Sequence, residues 1–159
     1  MTKFLRAIQL DVSDRMIYDS PAVPGEWVVP GSFTLWDIDP QRLSPKQRQV
    51  FEHAMLGTES LGWTTLAIVD TINLPEIEQV IQRLAQHLWI NYGAPDLTEA
   101  RRVAEEEVAF AMSLCDHPVD TVIAIQRHMT DEGVEETFRV VQTPHDIDHS
   151  RVKIWGVEA

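Results

Sequence analysis

A length of 159 residues fits one domain, which can bury enough apolar surface to fold without a metal or a disulfide. The 13 basic and 25 acidic residues give a formal charge of -12, and a field of that sign repels nucleic acids and anionic lipid surfaces. The sequence holds a single cysteine, no signal-peptide pattern and no apolar run long enough to span a bilayer, so we expect a cytoplasmic protein.

The N-terminal part of the chain predicts short strands separated by turn residues. Apolar residues predict a strand over residues 3–12, with Arg6 as the polar exception on its apolar face. A return strand is predicted at residues 16–18, and two further pieces at 27–29 and 33–36 are separated by a Pro-Gly pair. This part of the chain is therefore expected to contribute strands to a sheet.

A helix is predicted over residues 44–56. Ser44 suits the N-cap, a proline follows at the first helical position, and Gln47 completes a capping box. Gly57 is the predicted stop. The β-prone residues 60–72 come next, and because they are apolar on both faces near their middle, they indicate a central strand.

Residues 73–115 predict two helices joined by a very short connection. Asn73 and Glu76 form a second capping signature, Gly93 is a stop signal, and Asp96 begins the next helix. A connection this short favours an antiparallel αα-hairpin. The predicted apolar face of the first helix comprises Leu74, Ile77, Val80, Ile81, Leu84, Ala85, Leu88, Trp89 and Tyr92.

The C-terminal part predicts a β-hairpin of residues 121–129 and 134–142, joined by a glycine-containing turn. Residues 143–159 are predicted to be an extended tail, in which 152–157 form a short closing strand. The whole chain, 1–159, is thus expected to be one α+β domain. It has a largely antiparallel sheet, with the αα-hairpin and the shorter helix packed on one face.

Glu107 is a carboxylate inside the predicted apolar face of the second hairpin helix. An unpaired buried charge is costly, so this side chain must be paired, protonated or exposed at the rim. One interpretation makes it a functional carboxylate for proton transfer, at the wall of a pocket between sheet and helices. The other makes it a structural ion pair with Arg6. Glu107 and Arg6 are therefore the candidate catalytic residues.

Three further groups carry possible chemistry. The ligand types in His145, Asp146, Asp148 and His149 suit zinc or iron, although this polar segment matches no metal-site signature, and a solvated loop is favoured. Cys115 falls at a helix C-terminus on an apolar face, which indicates a core residue rather than a nucleophile. The tryptophans Trp27 and Trp36 suggest a contact surface for a partner or a second copy.

Several segments also resemble a family of uncharacterised bacterial proteins of similar length. The resemblance is carried by Phe4-Leu5-Arg6, Pro24-Gly25-Glu26-Trp27, Gly57–Trp63, Tyr92-Gly93-Ala94-Pro95, Ala104-Glu105-Glu106-Glu107 and Glu136-Thr137-Phe138-Arg139. Genes of this family tend to lie near those for a molybdenum-dependent formate dehydrogenase and a lipoate-ligase-like protein. The resemblance implies an accessory role and supplies no site residue to transfer.

The hypothesis that these observations favour is a non-catalytic accessory or protein-interaction domain, which binds a protein partner or forms a homodimer. The alternative is a small enzyme or ligand-binding domain with Glu107 beside its pocket. A third, weaker alternative is metal binding through His145 and His149. No cofactor is predicted.

Overall fold

The computed structural model describes residues 2–9, 17–35 and 38–143. In these ranges the chain forms seven strands and three helices. They are β1 (Lys3–Ala7), β2 (Trp27–Val29), α1 (Pro45–His53), β3 (Met55–Gly57), β4 (Trp63–Thr64), β5 (Leu66–Thr71), α2 (Leu74–Asn91), α3 (Leu97–Ser113), β6 (Val122–Thr130) and β7 (Gly133–Gln142).

All seven strands belong to one antiparallel sheet in the order β4-β3-β2-β1-β5-β6-β7. Only Thr65 separates β4 from β5 along the chain, yet three strands lie between them in the sheet. Strands joined by one residue must be close in space, so this part of the sheet curls back on itself. The predicted central strand is confirmed, because β5 pairs with β1 on one side and β6 on the other.

The predicted capping box begins α1. The Ser44 side chain accepts from the Gln47 amide, and the Gln47 side chain accepts from the Ser44 amide. The helix ends at His53 instead of residue 56, so the predicted end is wrong. The three residues Met55–Gly57 form β3, whose backbone pairs with β2, and this pairing overrides the local helical pattern.

The αα-hairpin is confirmed as α2 and α3, and Asn73 and Asp96 cap their first turns. The helices pack on each other, and α3 also contacts β1 and β2. The buried residues of the pair are Val80, Ile81, Leu84, Ala85, Leu88, Ala100, Ala104, Val108 and Ala111. The sequence placed Trp89 on the buried face, but the structure does not: Trp89 is 46% exposed, although Ala85, one turn earlier on the same side of the helix, is buried.

Two of the predicted strands are absent from the described residues. The segment predicted as a strand at 33–36 forms a 3-10 turn over Ser32–Thr34. Gly31 precedes it with φ 81°, a left-handed conformation, and the Thr34 hydroxyl donates to the Gly31 carbonyl at 2.8 Å. The chain at residues 17–18 is irregular. The predicted tail from residue 144 onward lies outside the described residues.

The α+β fold class and the C-terminal β-hairpin are confirmed. A two-residue turn joins β6 to β7, which stay in register from Thr130 and Gly133 to a bulge near Val122. One apolar core links the sheet to α2 and α3, with Phe4, Leu5 and Leu84 fully buried in it. No helix in the described part of the chain is long and apolar enough to cross a membrane.

Candidate functional site

Glu107 occupies the position on α3 where the packing pattern calls for an apolar residue. The residue is half-buried, and its Oε1 accepts a hydrogen bond from the Gly31 amide at 3.0 Å. Burial raises the pKa of the Glu107 carboxyl, and the hydrogen bond from Gly31 opposes this shift. The Glu136 carboxylate raises the pKa further, whereas the Arg127 guanidinium lowers it.

Arg127 lies near Glu107, and its side chain exposes no surface to solvent. Its position on β6 is directly opposite Glu136 on β7. The Arg127 Nε donates to the Ser32 hydroxyl at 2.8 Å and lies 3.4 Å from the Glu136 carboxylate. The Ser32 hydroxyl also donates to the Glu136 carboxylate, so both polar side chains contact the Arg127 Nε.

The other nitrogens of Arg127 donate to backbone carbonyls. Nη1 lies 2.7 Å from the Ala54 oxygen and 3.2 Å from the Phe51 oxygen, and Nη2 donates to the Pro30 oxygen. The Phe51 and Ala54 carbonyls belong to the C-terminal end of α1, where a cation compensates the unpaired helical acceptors. Burial lowers the pKa of Arg127, and Glu136 opposes that shift, so the guanidinium stays protonated.

The sequence analysis missed Arg127, although the signal that singled out Glu107 applies to it. Alternate residues of a strand share one face, which places Arg127 with the buried Ile123 and Ile125. An arginine on an apolar strand face poses the same problem as a carboxylate on an apolar helix face. Ser32 and Gly31 carried no such signal, because their roles depend on a contact across the fold.

This cluster, here called the Arg127 network, comprises Gly31, Ser32, Glu107, Arg127 and Glu136. Each guanidinium nitrogen donates to a protein acceptor. The network therefore connects α1, α3, the turn after β2, and the β6–β7 hairpin. Its geometry is that of a buried structural connection, and it includes one carboxyl group, Glu107, whose pKa is raised by burial.

Arg6 lies elsewhere. Its Nη1 is 2.9 Å from the Asp70 carboxylate, and its guanidinium sits over the Trp27 ring, 4.1 Å from the centroid. Glu107 instead accepts from a backbone amide, so the predicted ion pair between Arg6 and Glu107 is wrong. The register explains the difference, because Arg6 lies opposite Trp27 on β2 and Ile68 on β5, and Asp70 is two residues along β5 from Ile68.

Trp27 does not offer the exposed ring that a contact surface requires. It is 9% exposed and packs edge-on against Phe4 at a centroid distance of 6.1 Å. Its indole nitrogen donates to the Glu76 carboxylate at 3.3 Å, which ties β2 to the start of α2. Trp36, the other tryptophan proposed for an interface, lies outside the described residues.

The metal-ligand candidates His145, Asp146, Asp148 and His149 also lie outside the described residues. Within residues 2–9, 17–35 and 38–143, no three His, Cys, Asp or Glu side chains come together as a potential metal site. Cys115 is 4% exposed, and burial raises the pKa of its thiol to about 12. This matches the prediction that Cys115 is a core residue.

A cavity of about 140 Å³ lies where the sheet curls, between the end of β1 and the chain segment that contains β4 and the start of β5. Its described lining consists of Ala7, Ile8, Gln9, Ile17, Pro21, Ala22, Pro24, Gln49, Trp63, Thr64, Thr65 and Leu66. None of these side chains is ionisable, and Glu107 is not among them. Ligand pockets usually measure roughly 300 Å³ or more. The cavity therefore gives no support to the predicted acid–base role of Glu107.

Glu26, just before β2, carries a more deeply buried carboxylate than Glu107. Its two oxygens accept from the backbone amides of Val23, Glu59 and Ser60, at 2.6, 3.0 and 2.9 Å, and from the Ser60 hydroxyl. An added Cβ at Gly57 would lie 2.5 Å from Glu26 Oε1, which requires glycine there.

The end of the αα-hairpin carries exposed apolar side chains. Trp89, Ile90, Tyr92 and Leu97 are 46, 71, 42 and 47% exposed, and we call these four residues the hairpin end. The Tyr92 ring contacts Phe33 edge-on at a centroid distance of 5.8 Å. Tyr92 also borders a groove of about 270 Å³, which is lined by Phe33, Leu88, Tyr92, Gly93, Ala94, Pro95, Glu99, Ala100 and Val103.

These features define an α+β protein with a curled antiparallel sheet, a helical hairpin and a buried arginine network. The chain belongs to the family of unknown function DUF6505, whose model matches residues 1–157. No curated protein and no solved structure matches the chain.

Proposed function

We propose that this protein is a non-catalytic accessory domain that binds a protein partner through the hairpin end. The observation that carries the proposal is the exposure of Trp89, Ile90, Tyr92 and Leu97. These four side chains fall within the nine residues that run from the end of α2 to the start of α3. Large apolar side chains that are exposed together are typical of interaction surfaces. Aromatic residues contribute much of the binding energy where they are buried on association.

Folding alone does not account for these side chains. The buried stripe of α2 runs through Val80, Leu84 and Leu88, and Trp89 and Ile90 lie beside it. Tyr92 and Phe33 form one wall of the adjoining groove. A partner could therefore place an apolar side chain in the groove and cover the tryptophan, which would remove both from water.

The nature of the partner follows from charge and from the resemblance. A net charge of -12 favours a partner surface with a basic rim, because complementary charge speeds association. The resemblance implies an accessory role, and the genes of the family that the chain resembles tend to lie near those for a molybdenum-dependent formate dehydrogenase. That enzyme, from the same organism, is the first partner to test.

The test measures binding of the purified chain to the purified formate dehydrogenase by biolayer interferometry. We expect the double variant Trp89→Ser/Ile90→Ser to weaken binding at least about tenfold, while its circular dichroism spectrum stays unchanged. The matched control is Leu74→Ser, because Leu74 is 74% exposed on the first turn of the same helix. No binding by the wild-type chain would contradict the accessory role, and undiminished binding by the double variant would contradict the surface.

A further inference from the structure

β7 is the outermost strand at one end of the sheet, and the described part of the chain places no strand beyond it. An edge strand presents a row of backbone N–H and C=O groups that its own sheet leaves unpaired. β7 runs for 10 residues, contains no proline, and has its only glycine at its first position. Proteins commonly keep such edges short or interrupt them, so this edge is suited to pair with another strand.

Apolar side chains are exposed along the same edge. Val140 and Val141 of β7 are 40 and 45% exposed, and Met129 of β6 is 38% exposed. Burying them would add a hydrophobic contribution to backbone pairing.

We propose that β7 pairs antiparallel with β7 of a second copy of this chain, centred on Thr137, to join two sheets into one. The solvent-facing residues Glu135, Thr137 and Arg139 carry the argument, since each is exposed. Antiparallel pairing about a two-fold axis opposes residues that are equally distant from the centre. Glu135 then faces Arg139 of the second copy, twice, and Thr137 faces its own counterpart. Opposite charges and threonine pairs are both favourable across strands.

On the opposite face of β7 the same register places Val134 against Val140 of the second copy, and Glu136 against Phe138 between them. Met129 already lies opposite Val134 within one chain, as Ile123 lies opposite Val140. An apolar row therefore continues across the interface from Met129 through Val134 to Val140 of the second copy. Two of the exposed side chains, Met129 and Val140, belong to this row.

Neighbouring registers lack this complementarity. Centring the pair on Glu135, Glu136 or Arg139 would place each of these charges against its own copy, which is unfavourable. Centring it on Phe138 would create no opposite-charge pair. The sequence of β7 thus selects the register centred on Thr137. This inference depends on β7 alone and is independent of the partner surface at the hairpin end.

The first experiment measures the mass of the full chain by light scattering after size-exclusion chromatography, across micromolar concentrations. We expect twice the chain mass of 18.1 kDa. Arg139→Glu should raise the dimer dissociation constant at least about tenfold, because both charge pairs become repulsive. Glu135→Arg should do the same, and the double swap Glu135→Arg/Arg139→Glu should restore the dimer. Arg42→Glu is the matched control, since its side chain is 88% exposed outside the sheet.

A second experiment tests the register by cross-linking. Thr137→Cys places two thiols on the axis, where opposed Cα atoms lie about 4.5–5.5 Å apart, within disulfide reach. Glu135→Cys is the control on the same face, because its two copies would lie roughly 14 Å apart. Rapid oxidation of the Thr137→Cys variant alone to a covalent dimer supports the proposal. A monomeric wild-type chain, a dimer that Arg139→Glu leaves intact, a swap that fails to restore it, or equal cross-linking of both cysteine variants overturns it.

Discussion

Arg127 on β6 and Glu136 on β7 face each other across the hairpin, with Nε 3.4 Å from the carboxylate and no part of the arginine side chain exposed. A charge so deeply buried persists only when its partners are complete. Here the partners include carbonyls at the end of α1 and before Gly31, so one side chain fixes the relative positions of three segments.

Removal of the Arg127 guanidinium should strongly destabilise the fold. In Arg127→Met, the Ala54 and Pro30 carbonyls lose their donor, and Glu136 loses its cation. We expect the free energy of unfolding in urea to fall by about 3–5 kcal/mol. Arg102→Met is the control, and because Arg102 is an exposed residue on α3, it should leave stability nearly unchanged. Equal effects of the two substitutions would show that the network has no structural role.

The raised pKa of Glu107 predicts a specific pH dependence. Because the folded-state pKa lies above the ordinary value of 4.5, the native state holds the proton longer than the unfolded chain. The contribution of Glu107 to stability is thus most favourable below that value, and it is lost as the pH rises through the folded-state pKa. Glu107→Gln removes the titration and keeps an oxygen that can accept from Gly31.

The free energy of unfolding of the Glu107→Gln variant minus that of wild type should therefore be larger at neutral pH than at acidic pH. The measurement is the difference between the two free energies of unfolding as a function of pH. Glu106→Gln is the matched control, since its side chain is 66% exposed on the same helix. A difference for Glu107→Gln that does not change with pH would contradict the assignment.

The contact between Glu26 and Gly57 predicts a non-additive pair of substitutions. Three backbone amides and a hydroxyl hold the Glu26 carboxylate, so it cannot move away from a new methyl group at Gly57. Gly57→Ala should destabilise the protein by about 1–3 kcal/mol. In a Glu26→Ala background the same substitution should cost much less, because the carboxylate is gone. Additive unfolding free energies in this double-mutant cycle would disprove the steric explanation.

Cys115 should be unreactive in the folded protein. Its thiol is buried, and a pKa of about 12 leaves almost no thiolate at neutral pH. Ellman's reagent should therefore react with Cys115 only as the chain unfolds, at a rate that rises with urea concentration. Addition of guanidinium chloride provides the control for full reactivity. Rapid labelling in native buffer would place this cysteine at an accessible site instead.

The sequence by itself determined the elements whose signals are local. The capping boxes of Ser44 with Gln47 and of Asn73 with Glu76 join residues three apart, so each helix start was predictable from its own segment. The β6–β7 hairpin was predictable for the same reason. Glu107 could be singled out because a helix fixes which residues share a face, and that face was otherwise apolar.

Only the tertiary structure decided what those residues meet. Arg127 bonds to carbonyls more than seventy positions away, and Glu107 accepts from an amide at a separation of 76 positions. These partners depend on the strand order and on the left-handed conformation of Gly31, and no short stretch of the sequence encodes either of them. The same holds for Trp27 and Trp89. Strand pairing buries the first among Phe4 and Arg6, whereas the second stays 46% exposed although Ala85, one turn earlier on the same side of the helix, is buried.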